Sequence, residues 1–579
     1  MSRKQRNLCV LCASVVKKLG RNIVGKNGRC LVIGLDGGSP DLIRRWANEG
    51  RLPNLARLIE EGAFGPLRST YPPISAAAWV TFLTGQEPGQ HGIFDFRNYD
   101  PTRYTCTDEA IVNSTAFAGR TMLDVAGAYG RRVGAVTVPI TYPTWPVNGA
   151  MVAGYPTPDA KRAFTYPPEL GERLGSLTED SAFFRSRAPE EVARELIRLV
   201  QDRAEAARWM LQDDDYDLFI VVFGATDRAQ HDFWHHFDPD FPTHDPAEAE
   251  RFGSVILEVY QEADRAIGQL LETMPEDTTV LVMSDHGAGP RATRQVHFNA
   301  WLAQEGLLQM RQGGGSPLRW ARPLYRAFKA RFPYQEQVYR RLPPALKRLA
   351  SRVDSDAELG IGDVDWGRTV AYRFPMYPPV EGIVINLRGR QPEGIVEPGA
   401  EYERLRDEII EHLQGLTDPE TGTPIVEVAL RREELYRGDH LERVPDIVVV
   451  MAEGYEGGSA LSGPFVTPIP LDDLRRLSGA HRMDGVLIAR GPGVRQGERV
   501  EGARIVDLAP TILYTLGVPV PRQMDGRVLA DLFEPGHVAA RPVERVDWTG
   551  ERVGLEESGL SEEEESVIRE KLRRLGYIE

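Results

Sequence analysis

The sequence predicts an α/β fold built on a doubly wound, mostly parallel sheet with helices on both faces. Six apolar runs of strand length recur along the chain, and a parallel sheet that is covered on both faces requires such continuous runs. Long segments with helical periodicity lie between them, so strand and helix alternate. The apolar runs occupy 30–36, 133–138, 218–223, 279–283, 447–450 and 485–489, and the longest helical patterns occupy 189–211 and 246–274.

The remaining elements are predicted from signals at their ends. Proline at the first helical position predicts two helices beside the first strand, at 40–49 and 53–61. An apolar segment at 506–516 predicts a further helix of the core. Ser561 and Glu564 form a capping box, which predicts that a final helix begins there.

The chain has 579 residues, too many for one compact core, so a second domain or a large insertion is expected. The alternation of strand and helix breaks after a glycine-rich stretch at 313–316 and resumes near 446. We interpret the interruption as an inserted α+β cap beside the active site. The expected regions are an N-terminal extension (1–29), a first core segment (30–312), the inserted cap (313–445), a second core segment (446–540) and a C-terminal helical tail (541–579).

Composition excludes several classes of protein. A net charge of −15 argues against a general nucleic-acid binder, because the phosphate backbone would repel such a surface. Four cysteines are too few to cross-link a chain of this length, which favours a reducing compartment. The apolar segment 8–16 has the length of a signal-peptide core but lacks a clean cleavage site. We therefore expect a cytoplasmic protein, which could associate with a membrane, rather than a secreted one.

Six residues of metal-ligand type follow apolar runs or lie in glycine-flanked turns: Asp36, Asp227, His231, Asp285, His286 and His481. Asp227 and His231 are four residues apart, so a helix would present both on one face. Taken singly, each has a plainer interpretation. Asp36 could be a helix N-cap, and His231 could be a surface histidine beside His235 and His236. Three Asp and three His together can hold two divalent cations.

Ser75 is the candidate nucleophile. Helix-forming residues follow it after two prolines, so it is expected at or near a helix N-terminus, where free amides favour an anionic oxygen and a bound phosphate. The alternative is that Ser75 simply caps the helix.

The ordered motifs of the chain resemble those of the alkaline phosphatase superfamily, and within it the type I phosphodiesterase/nucleotide pyrophosphatase branch. The resemblance covers about residues 30–300 and 445–535. The motifs that carry it are Gly34-Leu-Asp-Gly-Gly38, Leu52-Pro-Asn-Leu55, Thr84-Gly-x-x-Pro-Gly-x-His-Gly-Ile93, Asp227-x-x-x-His231, Ser284-Asp-His-Gly287 and Gly479-x-His481.

The resemblance implies a hydrolase with two divalent metal ions, expected to be zinc, with manganese as an alternative. One ion would be held by Asp227, His231 and His481, and the other by Asp36, Asp285 and His286. The superfamily places its Ser or Thr nucleophile nine residues before the Thr of the Thr-Gly pair, and that position is Ser75. The implied reaction passes through a phosphoseryl intermediate, with Ser75 also contacting the second ion.

One position departs from the family pattern. Nucleotide pyrophosphatases carry an Asn shortly after the His-Gly-Ile motif to hold the phosphoryl oxygen, and Phe96 stands there in this chain. Arg97, Asn98 or Arg228 could replace it as donors to a phosphate. Each of the three could equally be a plain surface residue.

The segment 317–352 carries ten Lys or Arg against one acidic residue, and aromatic residues are interleaved with them. This pattern suits peripheral contact with an anionic membrane or with a phosphate-rich substrate. The alternative is a helix of the cap whose charges are simply solvated.

The leading hypothesis is a metal-dependent hydrolase that acts on a small phosphoester. Two alternatives stay open, namely transfer of a phospho-head-group to a lipid or glycan, and a non-catalytic binding protein that docks on membranes. A sulfatase is disfavoured because the residues after Ser75 lack the Pro and Arg of that family's nucleophile motif. The leaving group and the oligomeric state are not predicted.

Overall fold

The computed structural model describes residues 28–104, 110–158, 164–175, 188–311, 363–548, 550 and 560–577. The chain divides into two compact units, the first formed by Met1–Arg97, Ile111–Arg291 and Leu471–Glu579, and the second by Asn98–Ala110 and Ala292–Pro470. These limits differ from the expected cap limits, 313 and 445. The apolar segment 8–16 and the basic segment 317–352 lie outside the described residues.

The first unit contains a sheet of ten described strands. Their spatial order is Glu498–Arg499, Ala63–Arg68, Asp484–Arg490, Thr279–Met283, Cys30–Leu35, Leu218–Phe223, Val133–Val138, Gly149–Ala153 and Thr165–Tyr166, and Ala503–Arg504 also pairs with Ala63–Arg68. The first unit also contains two short two-stranded ribbons, in which Gly287–Pro290 pairs with Gly479–Arg482 and Val520–Pro521 pairs with Arg545–Val546.

The centre of this sheet is parallel. Cys30–Leu35 pairs in parallel with Leu218–Phe223 on one side and with Thr279–Met283 on the other. Every residue of these three strands is buried, and since successive side chains point to opposite faces, both faces of the sheet are covered. Asp484–Arg490 runs antiparallel to its neighbours, which makes the sheet mixed. The predicted α/β class is confirmed.

Helices of the first unit connect these strands. They are Pro40–Asn48, Pro53–Glu60, Ser75–Thr84, Pro88–His91, Met122–Ala128, Glu169–Leu174, Pro189–Asp213, Ala225–Phe237, Pro246–Phe252, Val255–Leu271, Leu471–Arg476, Leu508–Leu516, Pro535–Ala540 and Glu562–Leu575, with 3-10 turns at Ser114–Ala116, Ile505–Asp507 and Ala530–Leu532. The predicted capping box is present, since Ser561 Oγ accepts the Glu564 amide and the Glu564 carboxylate accepts the Ser561 amide.

The predicted single helix at 246–274 is wrong, because it divides into Pro246–Phe252 and Val255–Leu271. The break is at Gly253, whose amide closes the first helix on the Ala249 carbonyl. A Cβ at Gly253 would lie 2.7 Å from the Ala249 oxygen, so the chain changes direction where no side chain fits. Apolar periodicity continued through this break and concealed it.

The second unit has an antiparallel sheet in the order Ala371–Phe374, Val380–Ile385, Ile447–Met451 and Val426–Arg431. Its other elements are the strands Arg294–Val296, Tyr455–Gly457 and Val466–Pro468, the helices Phe298–Gln304, Ala400–Gln414 and Arg432–Leu435, and the 3-10 turns Trp366–Arg368 and Leu441–Arg443. The prediction that 447–450 belongs to the central sheet is therefore wrong. The run is fully buried, as its composition indicated, but burial does not specify which sheet a strand joins.

Among the described helices, none combines the length and the apolar character that crossing a membrane requires.

Candidate metal centre

The six candidate ligands lie at one edge of the central sheet. Its three central strands are parallel and end at this edge: Leu218–Phe223, Cys30–Leu35 and Thr279–Met283. One candidate carboxylate follows the end of each strand: Asp227, Asp36 and Asp285. Ligand sites of α/β sheets form beyond the carboxyl ends of such strands.

Neighbouring antiparallel segments bring the other groups to the same edge. Asp484–Arg490 runs opposite to Thr279–Met283, so it begins where that strand ends. His481 precedes it, in a ribbon that pairs His481 with Ala288 and so places it beside the residues after Met283. The strand Ala63–Arg68 also ends here, because Arg68 pairs with Asp484.

Asp227 and His231 lie on the helix Ala225–Phe237, one turn apart, as their spacing predicts. The surface alternative for the histidines is wrong, because His231, His235 and His236 are all buried. Asp36 is not a helix cap either. Ser39 caps the following helix, with its side chain accepting the Leu42 amide.

Each of the three candidate ligand histidines turns Nδ1 toward a main-chain carbonyl: His231 to Gly479 (2.8 Å), His286 to Gly287 (2.9 Å) and His481 to Pro73 (2.7 Å). A carbonyl oxygen can only accept, so Nδ1 carries the proton in each ring and Nε2 presents a lone pair. Burial, followed by the neighbouring His286, lowers the pKa of His481 to about 3, which keeps that ring neutral. Each of the three imidazoles therefore offers an Nε2 lone pair that a metal ion could bind.

The first cluster consists of Asp227, His231 and His481. Asp227 Oδ1 lies 3.3 Å from His231 Nε2 and 3.4 Å from His481 Nε2. The two Nε2 atoms are 3.0 Å apart, although neither carries a proton when both Nδ1 atoms donate. Two lone pairs at this distance repel each other unless a cation lies between the groups.

The second cluster consists of Asp36, Asp285 and His286. His286 Nε2 lies 3.3 Å from Asp285 Oδ2 and 3.7 Å from Asp36 Oδ1. The His286 ring stacks on His481 with 3.5 Å between the ring centroids, so the two clusters adjoin. His286 is close enough to both that its ligand atom also groups with those of Asp227 and His481.

The carboxylates of these clusters fit a cation and are poorly satisfied without one. Asp227 Oδ1 and Asp285 Oδ2 are buried and accept no hydrogen bond within the described structure. Burial raises the pKa of Asp285 to about 7. Burial, and then the charges of Asp285 and Asp227, raise the pKa of Asp36 well above its usual range. A bound cation would offset the cost of burying these charges, so the donor set fits divalent metal.

Gly37 allows the two clusters to approach each other. Its amide donates to Asp285 Oδ1 at 3.1 Å, while its φ of 64° lies in the left-handed region. A Cβ at this position would lie 2.8 Å from Asp227 Oδ1. Glycine is thus required both by the turn and by the contact with Asp227.

Ser75 is the first residue of the helix Ser75–Thr84, as predicted, and Ile74 is the N-cap, so the capping alternative is wrong. Its Oγ lies 3.4 Å from Asp36 Oδ1 and 3.3 Å from His286 Nε2, at the second cluster. The side chain is almost fully buried. Amides in the first helical turn lack intrahelical acceptors and can bind phosphate oxygens beside this hydroxyl.

Two residues that contact the ligand carboxylates were missed by the sequence reasoning. Trp79 donates from Nε1 to Asp36 Oδ2 at 3.1 Å, and Tyr577 donates from its hydroxyl to Asp227 Oδ2 at 3.0 Å. Trp79 lies one helical turn after Ser75, so the spacing of four residues could have revealed it. Tyr577 is 350 residues from Asp227, and no local pattern indicates such a contact.

The structure gives the four proposed substrate residues different surroundings, and their role stays a prediction. Phe96 is buried, with its ring centroid 4.8 Å from that of Tyr577. Arg97 Nη2 lies 4.0 Å from an Asp95 carboxylate oxygen. Asn98 belongs to the second unit. Arg228 pairs with Asp232 at 2.6 Å and donates from Nη1 to the Leu575 carbonyl at 3.1 Å.

A third group of possible ligands consists of His235 and His236, further along the helix Ala225–Phe237, and Glu248, on the helix Pro246–Phe252. His236 Nδ1 is 4.0 Å from Glu248 Oε2, and the Glu248 side chain is more than half exposed. His235 is already bonded to Ser478 Oγ at 3.1 Å. The convergent Nε2 atoms and the unsatisfied carboxylate oxygens are features of the first two clusters.

Comparison with known proteins identifies the family. The model of the type I phosphodiesterase / nucleotide pyrophosphatase family matches residues 30–481, which include all six candidate ligands and Ser75. The chain belongs to this family. The family is part of the alkaline phosphatase superfamily, and its members are metal-dependent hydrolases of phosphoric esters. None of the curated proteins matches this sequence.

Solved structures with the same fold include phosphonoacetate hydrolase from Sinorhizobium meliloti in complex with phosphonoformate. It is 15% identical, with 85% of this chain and 96% of that chain covered and a TM-score of 0.50. Murine ectonucleotide pyrophosphatase/phosphodiesterase 5, solved as an inactive variant with AMP, is also 15% identical, with coverage of 88% and 100% and a TM-score of 0.47. At 15% identity the likeness to phosphonoacetate hydrolase concerns the fold.

Proposed function

We propose that this protein hydrolyses small phosphodiesters with two zinc ions, one held by Asp227, His231 and His481 and the other by Asp36, Asp285 and His286. Ser75 is the proposed nucleophile. The observation that supports the proposal most strongly is the convergence of three proton-free Nε2 atoms and two unsatisfied carboxylate oxygens beside a buried serine hydroxyl.

Ser75 acts by in-line attack of Oγ on phosphorus. The Oγ–P bond forms as the bond from phosphorus to the leaving oxygen breaks, and the proton of the serine hydroxyl ends on the released alcohol, which leaves the phosphoryl ester on Ser75. Water then attacks phosphorus, the P–Oγ bond breaks, one water proton regenerates the serine hydroxyl, and the phosphomonoester is released. Divalent cations, when bound, would lower the pKa of the serine hydroxyl and offset the charge that builds up on the phosphoryl oxygens.

Residues around Ser75 hold the reacting groups in place. Trp79 fixes Asp36 through its Nε1 hydrogen bond, one turn beyond the nucleophile on the same helix. The amides at the start of the helix Ser75–Thr84 are oriented to bind the phosphoryl oxygens. These groups are positioned before substrate arrives, so little reorganisation is needed in the transition state.

The surroundings of Asp227 favour a diester over a monoester. Phe96 and Tyr577 bring aromatic rings to this side of the site, and Tyr155 lies 6.2 Å from Phe96 between ring centroids. Arg228, the charged candidate, is held by Asp232 and Leu575. The rings of Phe96, Tyr155 and Tyr577 form an aromatic wall on this side of the site. Such a wall suits the esterified oxygen of a diester, whereas the dianion of a monoester requires additional positive charge.

The proposal is tested with matched chromogenic diesters and monoesters, together with phosphonoacetate, on protein that has been loaded with zinc or manganese. We expect a higher kcat/KM for the diester than for its matched monoester. A higher value for the monoester would contradict the diester assignment. If the metal-loaded protein hydrolyses none of these compounds, the proposed activity is contradicted.

Ser75→Ala separates chemistry from metal binding. We expect this variant to lose turnover while its bound metal, measured by elemental analysis, stays near the wild-type value. Ser254→Ala, which alters the exposed serine that precedes the helix Val255–Leu271, is the matched control and should keep full turnover. Full turnover in Ser75→Ala would exclude Ser75 as the nucleophile.

A further inference from the structure

The helix Glu562–Leu575 is followed by Tyr577, which reaches the first cluster of ligands. The Tyr577 ring centroid lies 6.2 Å from that of His481 and 6.5 Å from that of His231. The proposed reaction uses the Tyr577 ring beside the substrate but gives its hydroxyl no role, and the family model ends at residue 481. The contact is therefore a feature of this chain that the family assignment does not explain.

The segment that carries Tyr577 is firmly packed on the first unit. Ile568 and Leu572 are fully buried. Lys571 Nζ donates to the Thr157 carbonyl at 2.8 Å, and Glu564 Oε1 accepts from the Tyr142 hydroxyl at 2.9 Å. These contacts lie along the length of the helix and hold it against the first unit.

The end of the helix then determines the orientation of Tyr577. Gly576 takes a φ of 81°, the left-handed conformation that ends many helices. The Tyr577 amide consequently turns back to the Leu572 carbonyl at 3.0 Å. Arg228, adjacent to Asp227 in sequence, donates to the Leu575 carbonyl and joins the end of the helix to the ligand helix Ala225–Phe237.

The hydroxyl of Tyr577 distinguishes the two oxygens of Asp227. Oδ2 accepts the tyrosine hydrogen bond, whereas Oδ1 faces His231 Nε2 and His481 Nε2 and accepts no hydrogen bond within the described structure. A hydrogen bond to one oxygen of a carboxylate fixes its rotation and leaves the other oxygen as the ligand.

We propose that Tyr577 is a positioning residue of the metal centre: its hydroxyl holds Asp227 so that Oδ1 alone binds the ion of the first cluster, and its ring closes that side of the site together with Phe96. This inference rests on the proposed function, because it assigns a role toward the ion held by Asp227. Partners of ligand carboxylates typically change metal affinity by about 10–100-fold when removed.

The test is zinc affinity, measured by chelator competition on metal-free protein, for the wild type and for Tyr577→Phe. We expect one site to weaken about tenfold and the other to keep its affinity. Tyr514→Phe is the matched control, because the Tyr514 hydroxyl is buried and accepts or donates no hydrogen bond within the described structure. It should leave both sites unchanged.

Tyr577→Ala tests the ring separately from the hydroxyl. We expect Tyr577→Phe to keep the wild-type KM for a diester and Tyr577→Ala to raise it, since only the alanine variant opens the aromatic wall. Thermal unfolding of the metal-free proteins shows whether each variant is folded, and Tyr577→Phe retains the ring packing if the alanine variant does not fold.

The outcomes are distinguishable. A wild type that binds two zinc ions and a Tyr577→Phe variant that binds both equally well would overturn the inference alone. Equal weakening of both sites would also overturn it, because the proposed contact acts on Asp227. A wild type that binds no divalent metal would overturn the proposed function and this inference together.

Discussion

Gly37 shows how a single position without a side chain determines the geometry of the site. Its left-handed backbone turns the chain away after Asp36, its amide donates to Asp285 Oδ1, and a Cβ added to it would lie 2.8 Å from Asp227 Oδ1. The glycine therefore lies among the carboxylates of both clusters. The sequence motif identified the turn, but not the distance to Asp227.

Gly37→Ala is expected to weaken both folding and metal binding. An L-residue in the left-handed region costs about 1–2 kcal/mol, and the added Cβ would also collide with Asp227 Oδ1. Gly50→Ala is the matched control, because Gly50 has a φ of 69° and nothing lies within 4 Å of an added Cβ. Denaturant unfolding and zinc titration should show similar backbone strain in both variants but reduced zinc affinity only in Gly37→Ala. Equal zinc affinity in the two would contradict the close approach.

At this scale the sequence could predict which residues are of ligand type, and the structure brings all six together with Ser75. The sequence could not predict which nitrogen of each imidazole is protonated. That property depends on carbonyl oxygens such as Pro73, which lies 408 residues from His481 and has no sequence signal as an acceptor. The contact from Tyr577 is hidden for the same reason.

At the scale of elements, one helix of the first unit is capped by a residue from another helix. Leu52, the N-cap of Pro53–Glu60, makes no side-chain hydrogen bond. Asp264, on the helix Val255–Leu271, instead accepts from the amides of Asn54 at 3.2 Å and Leu55 at 2.7 Å. This contact gives a structural reason for the Leu-Pro-Asn-Leu motif, which the sequence associated only with the family.

Asp264→Ala should destabilise the first unit by about 1–3 kcal/mol, because it leaves the buried Leu55 amide without an acceptor. Urea unfolding measures the effect. Asp277→Ala, at an exposed position, should change stability by less than about 0.5 kcal/mol. If the two variants unfolded at the same urea concentration, the inter-helix cap would contribute nothing to stability.

The second unit contains its own buried polar centre. Asp446 is fully buried and accepts from the Tyr402 hydroxyl at 2.7 Å, the Ile385 amide at 2.7 Å and the guanidinium of Arg390. Asp446→Ala should cost about 3–5 kcal/mol, because it removes the partner of a largely buried arginine. Asp407, an exposed partner of Arg431, is the control, and its replacement by Ala should cost less than about 1 kcal/mol in the same unfolding measurement. Equal costs would contradict the importance of burial.

Element types were more predictable than their membership or their limits. Apolar runs correctly indicated buried strands at 30–35 and 218–223 because burial on both faces leaves a continuous pattern. The run at 447–451 has the same pattern but lies in the antiparallel sheet of the second unit. Pairing is decided by residues far apart in sequence, and a single apolar run does not record it.

At the scale of the whole molecule, metal should stabilise the fold as well as serve the reaction. Metal that binds only the folded state raises the free energy of unfolding, by about 4 kcal/mol per site at a thousandfold excess over Kd. Chelation should therefore lower Tm, and zinc should restore it. The change in Tm on chelation should be smaller in His481→Ala than in the wild type. In His412→Ala, which alters an exposed histidine, it should equal that of the wild type. A Tm unaffected by chelation and by added zinc would contradict metal binding.

Ser75 is, in our central claim, the nucleophile at a site built for divalent metal. The measurement that tests this claim most directly is rapid acid quenching of metal-loaded protein during turnover of a diester, followed by mass spectrometry of its peptides. We predict that the peptide containing Ser75 gains one covalently bound phosphoryl-ester group, and that Ser75→Ala gains none. Turnover that proceeds at the wild-type rate in Ser75→Ala, or a phosphorylated peptide from elsewhere in the chain, would contradict the claim.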